Sequence, residues 1–334
     1  MSVGPLVGGL RSGLIWGYEM SRDKTLPLDR NLPDLPLAAA GNATLRWLHV
    51  NLADQWTRRW FAEAGSLSPA VRELLLSADR SQRALVEAGT VACIIHDFER
   101  EFDVDSVGSI GSLTFLLQPG LFVTARQHPI RAADVVRDRI RAGTRPLTAA
   151  AAFDMLMTAV AEVNQRVGAD LTAIVQAAED ALLDQGVQPE ARILVNVRKR
   201  SIQLHRQMAG LTNVLHRLEA DDDLPPDLEP TVVKHAQRMA SLDGDVSGIQ
   251  ANLRLLREEL DIQTANRTSQ NLYLLSILSA LLLPATLVTG IFGMNTGGLP
   301  WSSSPSGSLV ALGLVVGSAA LVYFWLRARG FFIR

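Results

Sequence analysis

The chain has 334 residues, a formal net charge of -2, 48% hydrophobic and 20% charged residues, which is room for roughly two domains at ~100–200 residues each. The near-neutral balance and the lack of a basic aromatic patch argue against nucleic acid as a partner. A single cysteine, Cys93, argues against a disulfide framework or a cysteine metal cluster.

The N-terminal stretch Met1 to Leu10 is apolar but broken by Gly and Pro, with no basic run before it; it does not read as a signal peptide. From Gly13 to about Arg126, short runs rich in β-branched and aromatic residues read as strands: residues 14–18, 45–52, 91–98, 113–117 and 121–125. Gln118-Pro119-Gly120 reads as the turn of a hairpin joining the last two. Between strands, residues 54–64 open with an acidic residue near a helix start. Ser68-Pro69 then places a capping Ser before Pro at a first helical position. These elements predict an α+β domain, an α/β/α sheet over residues 1–145.

Residues 146–270 are predicted to be almost wholly helical. After a helix over 132–142, an Ala-rich helix over 148–185 is capped by Thr148 and ended by Gly186. In 189–219, Val197, Leu204, Met208, Leu211, Leu215 and Leu218 fall at spacings of 7, 4, 3, 4 and 3. Val246, Ile249, Leu253, Leu256 and Leu260 fall at 3, 4, 3 and 4. Both are coiled-coil-like stripes. Residues 221–230, with several acids and prolines, mark the turn between them. From about Val232 no proline intervenes before Pro284, so one stalk helix of about 60 residues, ~90 Å, is expected to run into the apolar C-terminal region.

Residues 271–334 are predicted to be a transmembrane hairpin, with spans at 272–293 and 309–326 and an outer loop at 294–308. Each span approaches the ~30 Å of a hydrocarbon core. Arg254, Arg257 and Arg267 precede the first span and Arg327, Arg329 and Arg334 follow the second, while the loop is uncharged. The positive-inside rule therefore predicts cytoplasmic N- and C-termini. No Asp, Glu, Lys, Arg or His lies inside either span, which argues against a carboxylate proton relay. No phosphate-binding G-x-x-x-x-G-K-[ST] loop is present. Transport, if any, is then gradient-driven, and a membrane potential gives an inward dication ~4.6 kcal/mol per 100 mV.

The uncharged loop opens with Gly293-Met294-Asn295. A cytoplasmic α/β domain, a long stalk and two C-terminal spans joined by Gly-Met-Asn, with Pro284 eleven residues before Asn295, resemble the CorA family of divalent-cation transporters. The turn Thr296-Gly297-Gly298-Leu299-Pro300-Trp301, the strand Arg46-Trp47-Leu48-His49-Val50-Asn51-Leu52 and Arg58-Arg59-Trp60 look most like its zinc-associated ZntB branch. The resemblance implies a homopentameric funnel in a bacterial inner membrane, embedded in lipid, that carries Zn²⁺ or Mg²⁺ as cargo with no resident cofactor. It places Gly293, Met294 and Asn295 at the outer pore mouth and Thr286, Leu283, Ser279, Leu275 and Leu272 along the pore. Counted back from Asn295 these come at 9, 3, 4, 4 and 3 residues, close to one helical face.

A neutral ring of Asn295 amides and Gly293 and Met294 carbonyls suits a dication that keeps its water shell, as Mg²⁺ tends to. Gly293 permits close backbone approach or a positive φ. Zn²⁺ prefers His, Cys and carboxylate ligands, and neither the pore face nor the loop supplies them. His205 and His216 lie eleven apart on one helix, and Asp103 with Asp105, residues 221–223 and Asp243 with Asp245 form acidic groups. The plainer reading of each is a solvated surface. A membrane-tethered sensor or scaffold is the alternative of another class. An enzyme is disfavoured because no nucleophile–base pair, ligand cluster or phosphate loop appears.

Overall fold

The structure is a computed structural model and describes residues 13–28, 43–100, 109–183, 190–294, 306–329 and 331. The chain divides into two compact units, Met1–Leu256 and Arg257–Arg334.

The first unit is built on a sheet of β1 (Leu14–Met20), β2 (Thr25–Pro27), β3 (Leu45–Asn51), β4 (Arg83–Glu87), β5 (Thr90–Phe98), β6 (Ile110–Gln118) and β7 (Leu121–Arg126), in the order β2-β1-β3-β7-β6-β5-β4. Neighbours are antiparallel except β3 and β7, which run parallel with His49 opposite Thr124 and Asn51 opposite Arg126. The predicted hairpin is β6–β7. Its turn needs Gly120 at φ 74, a conformation that costs other residues ~1–2 kcal/mol.

Both faces of the sheet are covered, as the α/β/α expectation requires. On one face Leu48, Val50, Ile94, Leu116 and Val123 pack against α1 (Gln55–Glu63) and α2 (Pro69–Leu76). Asp54 caps α1 by accepting from the N–H of Trp56 at 2.8 Å and Thr57 at 3.2 Å. Ser68 caps α2 by accepting from Val71 N–H at 3.2 Å. On the other face Trp47, Phe115 and Phe122 meet α3 (Arg131–Arg141), α4 (Ala149–Leu183) and α5 (Ala191–Glu219). Asp97 of β5 holds the start of α3, its Oδ2 accepting from Ala132 N–H at 2.8 Å. Beyond the end of β4, two side-chain amides continue the ladder. Gln82 Oε1 accepts from His96 N–H and Gln207 Nε2 donates to His96 C=O, both at 3.2 Å.

The helical stripes fold as their spacing predicts. Val197, Leu204, Met208, Leu211, Leu215 and Leu218 of α5 are buried, as are Val246, Ile249, Leu253 and Leu256 of α6 (Glu229–Phe292); Leu260 is half-buried. Thr148 caps α4 as expected, accepting from Ala151 N–H at 3.1 Å, while Gly186 lies outside the described residues. Two strands escape the sequence reading. β2 is a three-residue edge strand ending in Pro27, and β4 is an edge strand with only Val86 buried, so neither shows the apolar pattern that marks a buried strand.

The second unit holds the C-terminal part of α6 and α7 (Gly307–Ala328). α6 is 64 residues long, ~96 Å at 1.5 Å per residue, and passes through Pro284 without ending. The apolar windows of α6 and α7 have mean hydropathies of 2.1 and 2.2 and are 0% and 6% buried. A core helix of a soluble domain is mostly covered, so these two fit membrane spans.

Candidate functional site

α6 has two different sides within the second unit. Ile277, Ala280, Leu281, Pro284, Val288 and Phe292 are partly shielded. Leu272, Leu275, Ser279, Leu283 and Thr286 are exposed, Leu283 at 69%. At ~100° per residue the two sets centre about 180° apart. The expected pore residues thus share one open face, turned away from the side that the protomer itself covers.

The exposed stripe reaches further than the sequence reading took it. Toward the N-terminus it continues through Ser269, Ala265, Ile262 and Glu258, at the same alternation of three and four residues. That alternation was readable in the sequence, but a count that stops at the apolar boundary misses it. Arg267 stands two residues from both Ala265 and Ser269, ~200° around the helix, and so points away from this stripe.

Three hydroxyls in the apolar part of α6 bond back to their own helix. Ser276 donates to Leu272 C=O at 2.9 Å, Thr286 to Leu282 C=O at 2.8 Å and Thr289 to Thr286 C=O at 3.0 Å. Each hydroxyl has one proton. With it committed to the backbone, the outward side of Thr286 offers lone pairs only. That polarity meets water molecules whose own protons point outward, as those around a cation do.

At the end of α6, Gly293 N–H donates to Thr289 C=O at 2.9 Å and Met294 N–H to Ile291 C=O at 3.3 Å. Gly293 does not use a positive φ, unlike Gly13, Gly89, Gly120 and Gly143. A Cβ at Gly293 would lie 3.0 Å from the Thr289 carbonyl oxygen one turn back. Met294 is exposed. Asn295 and the loop through 305 lie outside the described residues. On α7, Gly313 and Gly317 are exposed, and an added Cβ would meet nothing within 4 Å at either.

Among the described residues of the first unit, no three His, Cys, Asp or Glu side chains gather as a metal site. His205 and His216 are not brought together. His205 Nδ1 pairs with Asp243 at 2.7 Å across α5 and α6, and His216 Nδ1 with Glu219 at 3.1 Å. Asp221 accepts from Asp223 N–H at 3.1 Å as a turn residue, Asp245 is exposed, and Asp103 and Asp105 lie outside the described residues. A pairing invisible in the sequence joins α4 to α6, where Asp154 Oδ1 accepts from Lys234 at 2.7 Å and His235 Nε2 at 2.8 Å. Burial alone would raise the Asp154 carboxyl, but these two partners hold it below its ordinary value.

Comparison with known proteins gives a consistent result. The family model described as CorA-like Mg2+ transporter protein matches residues 42–328. The "Zinc transport protein ZntB" of Yersinia pseudotuberculosis is 25% identical over 288 residues, 84% of this chain and 86% of that one. The "Divalent cation transporter CmaX" of Pseudomonas aeruginosa is 24% identical over 344 residues, 96% of this chain and 97% of that one. A solved structure of full-length CmaX superposes with a TM-score of 0.78 at 22% identity, covering 97% of this chain and 99% of that chain.

Proposed function

The chain belongs to the family of CorA-like Mg2+ transporter proteins, divalent-cation transporters and not enzymes, and on that membership we propose that it carries Zn²⁺ through a central pore in a homopentamer. In this reading α6 of each subunit lines the pore with Leu272, Leu275, Ser279, Leu283 and Thr286. Gly293, Met294 and Asn295 form the outer mouth. The protein sits in a bacterial inner membrane with both termini cytoplasmic, a reading supported by the arginines flanking the spans.

The observation that carries the reading is the open stripe of α6. Leu272, Leu275, Ser279, Leu283 and Thr286 lie together on the side of α6 that its own protomer leaves open, within a wider exposed surface that includes Leu274, Leu278 and Leu282. In this reading that line of hydroxyls and leucines faces an axis shared with copies of the chain, and the other exposed leucines face lipid. The leucines of that line then close the pore by dewetting, Thr286 meets the hydration shell with lone pairs, and Ser279 meets it with its hydroxyl. At Pro284 the missing N–H frees the carbonyl of Ala280, which water or a neighbouring hydroxyl satisfies.

Transport of Mg²⁺ or Co²⁺ is the second reading, favoured by the donor set. The candidate path holds hydroxyls, carbonyls and an amide but no His, Cys or carboxylate between Leu272 and Asn295. Such a set suits an ion that keeps its waters better than one bound by N and S ligands.

Flux into liposomes tests both. Asn295→Ala is expected to abolish divalent flux while the assembly keeps the mass of five chains; unchanged flux removes the mouth role. No flux from the unaltered protein would favour a tethered scaffold. Competition among Zn²⁺, Mg²⁺, Co²⁺ and Ni²⁺, with and without a pH gradient, assigns the ion.

A further inference from the structure

After Asp261 the chain has no Asp or Glu, and its remaining charged side chains are Arg267, Arg327, Arg329 and Arg334. Arg334 lies outside the described residues. The other three are exposed, and among the described residues their guanidinium groups donate no hydrogen bond and join no ion pair. Ion passage along the open stripe of α6 has no use for them, since Arg267 points away from it.

A contact between distant residues gathers these arginines at one end of the two apolar helices. Beyond α7 the chain turns back, with Phe331 N–H donating to Leu326 C=O at 3.1 Å. Phe331 thereby meets Tyr273 of α6, the two rings nearly parallel with centroids 6.1 Å apart, and the Tyr273 O–H donates to Phe331 C=O. Arg327 and Arg329 are thus tied to the start of the apolar part of α6. Arg267 stands six residues before Tyr273, ~9 Å along the helix. Asp261 stands a further six residues back, ~9 Å more. Arg329 also has a fixed seat. Its Cζ lies 4.9 Å from the centre of the Trp325 ring one turn earlier on α7, a cation–π contact that covers one face of the guanidinium and leaves its N–H edges free.

Trp and Tyr rings settle at the headgroup level of a bilayer. A guanidinium seated on Trp325 is kept at that level, and its edge can grip a phosphate with two parallel N–H donors. A headgroup with net negative charge answers the three arginines. A zwitterionic headgroup brings an ammonium with its phosphate, and no carboxylate follows Asp261 to receive it.

We propose that this end of α6 and α7 is a binding site for anionic phospholipid, whose phosphate accepts from Arg329 while Arg267 and Arg327 add the charge that disfavours zwitterionic lipid. The proposal rests on the reading of α6 and α7 as membrane spans. Under the topology above, the lipid belongs to the cytoplasmic leaflet, whose surface is negative.

Flotation of the full chain with phosphatidylcholine vesicles separates the two readings: protein that stays in the aqueous fraction denies the spans and the lipid site together. Native mass spectrometry of the full chain in detergent then counts what is retained, with phosphatidylglycerol, phosphatidylcholine and soluble glycerol phosphate titrated in separate arms. Phosphatidylglycerol should be retained at least about tenfold more tightly than phosphatidylcholine, and glycerol phosphate should not be retained at the same concentration. Each arginine near a charged surface is worth roughly fivefold, so Arg329→Gln should cut the preference about fivefold. The variant Arg267→Gln/Arg327→Gln/Arg329→Gln should hold both lipids alike with the assembly's mass unchanged; if it does not assemble, Arg329→Gln alone, at an exposed position, decides. Protein that floats but holds both lipids equally overturns the lipid site and leaves the spans standing. Glycerol phosphate held as tightly as phosphatidylglycerol makes this a bare phosphate site and overturns the proposal, as does an unaltered preference in either assembled variant.

Discussion

Asp97→Asn should make the protein more stable in mild alkali and leave it little changed in mild acid. Asp97 is fully buried in β5, and burial pushes its carboxyl from the usual 3.8 up to about 7, against the pull of the Ala132 and Phe98 N–H groups and of Arg131. A pKa raised in the folded state means that the unfolded chain loses its proton first. Stability from this group is therefore full below about pH 4 and falls through the window up to about pH 7, at about 1.4 kcal/mol per pH unit. The accumulated loss is ~4 kcal/mol, of which roughly 3 kcal/mol falls between about pH 5 and pH 7. Asparagine keeps an oxygen for Ala132 N–H and never ionises. Its NH₂ takes the place of Asp97 Oδ1, which has no partner, at a cost of ~1–2 kcal/mol that does not depend on pH. Denaturant unfolding of the full chain in detergent at about pH 5 and about pH 8, followed by tryptophan fluorescence, reads the difference. The variant should lose most of the wild-type decline between the two conditions. If both proteins decline in parallel, Asp97 is not the group responsible and its burial has been misjudged.

Other substitutions address the ion path and the packing. Thr286→Val keeps the shape of the side chain but removes the outward lone pairs, and divalent flux in liposomes should fall about fivefold, the worth of a ~1 kcal/mol hydrogen bond. Gly293→Ala forces a Cβ to 3.0 Å from the Thr289 carbonyl oxygen; flux should drop severalfold with the assembly's mass unchanged in size-exclusion light scattering. Gly210→Ala puts a Cβ 2.1 Å from Gln82 Nε2. It should displace the amide that donates to Gln207 C=O at 3.1 Å and lower stability by ~1–2 kcal/mol in denaturant titration.

What the sequence discloses depends on how local the cause is. The α6 stripe is a matter of spacing along one helix, so the face from Leu272 to Thr286 can be read before any coordinates. The caps at Asp54 and Ser68 are local in the same way. β2 and β4 are different, since edge strands keep their residues half in solvent and lose the apolar signature. The contact between His49 and Thr124 is more distant still, since the two residues are ordinary in their own stretches and meet only because β3 and β7 pair in parallel. The Asp154 link to Lys234 and His235 likewise joins helices about 80 residues apart, and no pattern in either segment announces it.

The parallel seam between β3 and β7 also imposes a schedule. β3 has no parallel partner until residues 121–126 have been made, and one face of the sheet stays uncovered until α3, α4 and α5 have followed. About 150 further residues separate β7 from the first span, which at ~5–20 residues per second is roughly 7–30 s of synthesis. Mixed α/β domains fold on times between the microseconds-to-milliseconds of helical bundles and the milliseconds-to-seconds of all-β domains. The strands of the first unit thus have time to pair before the apolar helices are made.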